Sequence, residues 1–151
     1  MARYVVSVES PKPPMEAFDY MADLSNFAQW DPGVQSAEQV EGDGPGHGAA
    51  FDVAVRTAGR TIVLRYHVTL HEPPNKIVAR AESGTLVSLD TMTIDAKDSG
   101  TVVTYDAELK LKGALRVFEP LLALAFRRIG DKAAAGLVTV LDGERVAGPL
   151  P

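Results

Sequence analysis

Residues 60–71 alternate without a break. Ile62, Leu64, Tyr66, Val68 and Leu70 take one parity, and Thr61, Val63, Arg65, His67, Thr69 and His71 take the other. A period of two with one apolar face predicts a half-buried antiparallel strand. Residues 101–112 repeat the pattern, with Val103, Tyr105, Ala107, Leu109 and Leu111 opposed to Val102, Thr104, Asp106, Glu108 and Lys110. The stretches 3–9, 34–41, 49–57, 76–82 and 86–97 complete seven predicted strands. Their connections are short, at Ala58-Gly59, Pro73-Pro74-Asn75, Ser83-Gly84 and Asp98-Ser99-Gly100, which favours hairpin-linked antiparallel neighbours.

The period changes in two places. After the first strand, three prolines at 11, 13 and 14 end strand pairing, because proline donates no ladder hydrogen bond. Pro14 can open a helix that Phe18 and Met21 continue on one face. A second short helical piece follows over 23–30, with Ser25 as its expected cap, and ends at the turn Trp30-Asp31-Pro32-Gly33. The larger change comes at the end of the chain, where 115–141 predicts one long amphipathic helix started or kinked by Pro120. Leu122, Phe126, Ile129, Ala133, Leu137 and Val140 form its apolar stripe. A lone terminal helix and a long run of half-apolar strands must bury their faces against each other. If the sheet curves, the space beneath the helix is a pocket. In this reading Leu122, Phe126 and Ile129 roof it, and Ala133, Gly136 and Leu137 clamp the sheet. The beginning of the helix is also apolar off the stripe, at Leu121, Ala123, Leu124 and Ala125. That leaves three readings open there: packing against loops, a gate over the pocket, or contact with a membrane or second subunit.

Composition narrows the function. The 151 residues suit one domain, expected over 1–143 with a flexible tail over 144–151. Apolar residues make up 46% and charged residues 23%, an ordinary globular mixture. A net charge of −5 without a basic run argues against nucleic acid as a partner. Having no cysteine excludes disulfides, thiolate metal sites and a cysteine nucleophile. Tyr4-Val5-Val6 is too short an apolar run for a signal peptide, and 120–126 is far short of a bilayer span. The expectation is a soluble cytoplasmic protein without stable membrane insertion.

Few residues offer chemistry. The loop 42–48 holds four glycines but lacks the Lys-Ser/Thr of a phosphate loop and lies between strands, so it reads as a hairpin. His67 and His71 share a face about 13 Å apart, on the parity opposite the apolar face, and His47 lies in the glycine loop; no metal site and no cofactor are expected. Asp90 stands out. Leu86, Ser88, Asp90, Met92 and Ile94 share one parity, and Met92 and Ile94 suggest that this parity faces inward. An inward carboxylate orients a polar ligand group or serves as a general acid or base. The alternatives are that Val87 and Leu89 face inward instead, that a bulge shifts the register, or that Asp90 pairs with Arg56, Arg65 or Arg80. Tyr66 and Tyr105 fall on inward faces and suit an amphipathic ligand or an ordinary core. Trp30 reads as a structural anchor.

Three segments resemble the START-like superfamily, also called SRPBCC. They are Pro13-Pro14-Met15-Glu16-Ala17-Phe18-Asp19-Tyr20-Met21-Ala22-Asp23, then Asn26-Phe27-Ala28-Gln29-Trp30-Asp31-Pro32-Gly33-Val34, and Gly100-Thr101-Val102-Val103-Thr104-Tyr105. The superfamily groups polyketide cyclases and dehydrases, START lipid-transfer domains and birch-pollen-type allergens. The resemblance spans about residues 3–143 and rests on turns and core anchors, which specify fold better than activity. It implies an α+β helix-grip fold: a curved seven-stranded antiparallel sheet around a long C-terminal helix, with two short helices between the first two strands. It also implies a deep apolar cavity, and the expected ligand-pocket residues are Phe18, Phe51, Leu64, Tyr66, Val68, Asp90, Met92, Tyr105, Leu122, Phe126 and Ile129. The favoured function is binding or transport of a hydrophobic or amphipathic small molecule: a lipid, polyketide or aromatic metabolite. The alternatives are a metal-free cyclase or dehydrase using Asp90 with Tyr66 or Tyr105, and an interaction module such as a homodimer.

Overall fold

A computed structural model describes residues 1–57 and 59–146. Among these residues, eight strands form one antiparallel sheet: β1 (Ala2–Ser10), β2 (Val34–Glu41), β3 (Ala50–Thr57), β4 (Arg60–Glu72), β5 (Lys76–Glu82), β6 (Leu86–Lys97), β7 (Gly100–Leu111) and β8 (Glu144–Val146). Their order is β2-β3-β4-β5-β6-β7-β1-β8, so β2 through β7 is a meander and β1 closes onto β7. Between β1 and β2 lie α1 (Pro14–Ala22), a 3₁₀ turn (Leu24–Asn26) and α2 (Phe27–Trp30). A second 3₁₀ turn (Gly113–Phe118) leads into α3 (Glu119–Val140). The helix-grip architecture is as expected, with eight strands in place of seven.

The additional strand corrects the expected tail. Glu144–Val146 pairs with β1 through Ser7, Val8 and Glu9. The sharp return after α3 makes this possible: Asp142 takes a φ of 51°, and Gly143 packs so tightly on Glu9 that a Cβ there would collide with its carbonyl oxygen. Residues 147–151 of that expected tail, and Ala58 of the expected turn, lie outside the described residues.

Local chemistry accounts for the other boundaries. Pro14 and Pro120 each sit in the first turn of their helices, where a missing N–H costs nothing. The cap of the short helical piece is Asp23 rather than Ser25, because the Asp23 Oδ1 accepts the Ser25 backbone N–H at 3.1 Å. β4 carries a bulge between Val68 and Leu70. One extra residue inverts the facing of the residues after it, so His71, expected to face solvent, is half-buried with its ring 5.1 Å from that of Phe18.

One face of the sheet is buried. Tyr4, Val6 and Val8 of β1, Phe51 and Val53 of β3, Leu64, Tyr66 and Val68 of β4, and Met92 and Ile94 of β6 form a core with α1, α2 and the second half of α3.

Candidate functional site

The register of β6 settles which parity faces inward. Ser88, Asp90, Met92 and Ile94 are buried, with Asp90 only 3% exposed. Asp90 lies opposite Ala79 on β5 and Ala107 on β7, and Ser88 lies opposite Ala81. Small side chains on either hand leave the carboxyl standing above a low floor. None of Arg56, Arg65 and Arg80 reaches it. Arg56 donates to the Pro32 carbonyl, Arg65 pairs with Asp52, and Arg80 pairs with Glu82.

Its hydrogen-bonding company is neutral. The Tyr105 hydroxyl donates to Asp90 Oδ2 at 3.2 Å, and the Tyr66 hydroxyl shares a 2.6 Å hydrogen bond with Ser88 Oγ. Asp90 Oδ1 takes no hydrogen bond, yet among the described residues no side-chain N or O sealed from water lacks one. Burial pushes the Asp90 carboxyl up to about 7, opposed by the Tyr105 hydrogen bond and aided by the charge of Asp31. Tyr105 and Tyr66 are both held well above the usual phenol range, first by burial and then by the Asp90 charge, so both stay protonated. A carboxyl that changes state near neutrality beside a permanent phenol donor can anchor a hydroxyl or carbonyl group, or exchange a proton with one.

The aromatic cover over this floor comes from α2. Trp30 meets Tyr105 edge-on at 5.0 Å, and Phe27 stacks on Trp30 at 4.5 Å and lies 6.4 Å from Tyr66. The expected roof is thus corrected. Leu122 and Phe126 are half-buried, but Ile129 is 43% exposed. The clamp is also redistributed. Ala133 and Leu137 are buried as expected, whereas Gly136 seats on the Trp30 backbone and not on the sheet. Phe18, Phe51, Leu64, Val68 and Met92 all lie buried in the same core, Phe18 toward His71.

Three contributors were not singled out in the sequence. Ser88 was legible, two residues before Asp90 on the same parity. Phe27 was not, because only the docking of α2 turns it inward. Asp31 read as a turn residue; its Oδ1 does accept the Gly33 N–H at 2.8 Å, but burial also raises its carboxyl. Among the described residues, no three of His, Asp and Glu converge on one point that could hold a metal ion.

Solved structures share this architecture. A START superfamily protein from Mycobacterium smegmatis is 14% identical with a TM-score of 0.74, covering 94% of this chain and 98% of that one. A protein from Thermus thermophilus is 15% identical with a TM-score of 0.73, covering 93% and 94%. StfQ, a di-domain ARO/CYC protein from the steffimycin biosynthetic pathway, is 15% identical with a TM-score of 0.70 over 93% of this chain and 49% of StfQ. At such identities the likeness is one of fold. No curated protein matches the sequence. The model of one family, polyketide cyclase/dehydrase and lipid transport, matches residues 1–142. With that match over nearly all of a START-like fold, the chain belongs to the polyketide cyclase/dehydrase and lipid transport family.

Proposed function

We propose that this protein binds a small amphipathic molecule on the concave face of the sheet, with an apolar body among Phe51, Tyr66, Met92 and Trp30 and a hydroxyl or carbonyl group at Asp90. The observation that carries this reading is the Asp90 carboxyl. It is kept inside between Ala79 and Ala107, with Oδ2 on Tyr105 and Oδ1 left without a hydrogen bond among the described residues. A core built only for stability gains nothing from such a group, since a buried carboxyl costs free energy that an apolar residue does not. The ligand class is a polyketide-like or other hydroxylated aromatic molecule, because the cover is aromatic and the polar partners sit at one point.

Titration with a hydroxyanthraquinone and, separately, with a fluorescent fatty acid tests the reading. The anthraquinone is expected to saturate one site and quench Trp30. Ala107→Leu, which fills the floor beside Asp90, is expected to weaken it about tenfold or more. Binding untouched by Ala107→Leu and by Asp90→Asn would reject the site.

One observation favours a second reading, catalysis of the cyclase or dehydrase kind. An acid near 7 beside a tyrosine donor is matched to proton transfer at neutral pH. In that case Asp90→Asn abolishes turnover of a poly-β-keto substrate while retaining binding. Retained turnover excludes Asp90 as the acid–base group.

A further inference from the structure

The end of the second 3₁₀ turn and the first half of α3 carry a second surface, on the side away from the core. Val117 is 75% exposed, Phe118 54%, and Leu121 and Leu124 68% each. Phe118, Leu121 and Leu124 are spaced by three residues, and Arg128 and Lys132 follow at steps of four, so all five share one outward face. Leu121, Leu124, Arg128 and Lys132 line one shallow depression.

The charges on this segment are arranged with the apolar residues. Among the described residues, neither Arg128 nor Lys132 has an ion-pair partner within 4.0 Å, and Arg116 and Arg127 beside them have none either. The segment's two acids are engaged elsewhere. Glu119 binds the Met1 amino group and the Leu111 N–H, and Asp131 binds the Tyr4 hydroxyl and Arg145. A chain of net charge −5 thus presents one face where exposed apolar side chains adjoin free cations.

We infer that this face docks on an anionic lipid surface: Val117, Phe118, Leu121 and Leu124 enter the headgroup–acyl boundary, and Arg128 and Lys132 meet the headgroups. Apolar residues on one end of an exposed helical face and cations on the next turns are what such an interface requires. A second copy fits less well. An isologous pairing sets the same cations of both copies at one interface, and Asp131, the carboxylate nearest them on the helix, is already held by the Tyr4 hydroxyl and Arg145. The docking is peripheral, as no helix among the described residues is long and apolar enough to cross a bilayer. It does not depend on what the concave face binds.

Flotation with vesicles tests it. The protein is expected to float with phosphatidylcholine vesicles containing about one third phosphatidylglycerol, and not with phosphatidylcholine alone. High salt should weaken the binding. Leu121→Asp with Leu124→Asp should reduce it about tenfold or more, as should Arg128→Glu with Lys132→Glu, each with an unchanged circular dichroism spectrum. Absence of flotation, or flotation indifferent to both double variants, overturns the inference. So does a dimer by light scattering that the leucine variant dissociates while the wild type ignores vesicles.

Discussion

The two halves of α3 have similar apolar content and opposite fates. From Gly130 onward the helix is locked down. Ala133, Ala134 and Leu137 are buried, a Cβ on Gly130 would strike the Tyr4 ring, and one on Gly136 would strike the Trp30 carbonyl. The lock is also tied by polar bonds, from Tyr4 to Asp131 at 2.7 Å and from Ser10 to the Leu141 carbonyl at 2.6 Å. Before Gly130 the apolar residues are larger, yet Leu121, Leu124 and Ile129 are exposed. Close approach, not hydrophobicity, separates the halves. A helix seats where small residues let its backbone touch its neighbour, and large side chains pointing away from that line gain no burial.

The severest way to break this contrast is at the contact itself. Gly136→Leu drives a branched side chain into the Trp30 backbone and is expected to cost roughly 5 kcal/mol, enough to read as loss of the cooperative urea transition. Next comes the interior that the locked half closes. Asp90 titrates near 3.8 when unfolded and about 7 when folded, so the folded state holds its proton more tightly. Stability should be undiminished below pH 4, fall as pH rises toward 7, and level off above. The total loss is on the order of 4 kcal/mol. Asp90→Asn should flatten that slope and be the more stable protein at pH 8, as urea midpoints across pH would record. Leu137→Ala removes a fully buried side chain from the locked half and should cost about 3 kcal/mol by the same measurement. Leu121→Ser and Leu124→Ser, in the exposed half, should each change stability by no more than about 0.5 kcal/mol. A large loss at either would mean that the first half is packed after all.

The family motifs were readable because they are local. Proline at the helix starts, the Trp30-Asp31-Pro32-Gly33 turn and the alternation of β4 and β7 depend on neighbours within a few residues. The candidate site was half readable. Parity placed Tyr66 and Tyr105 inward and left Asp90 with two orientations, each with apolar companions. What surrounds Asp90 depends on which residues of β5 and β7 stand opposite, and no single strand contains that information.

The sequence alone thus determined the period of each element, the hairpin meander, the long terminal helix and the set of inward tyrosines, because these follow from backbone periodicity and proline or glycine chemistry. Only the tertiary structure decided the rest. The bulge in β4 turned His71 inward, and Gly143 let β8 add to the sheet. The docking of α2 placed Phe27 and Trp30 over Tyr66 and Tyr105. The seating of Gly130 and Gly136 chose which half of α3 to bury. Each of these is a contact between segments far apart in the chain, and its outcome depends on shapes that meet only when the chain has folded.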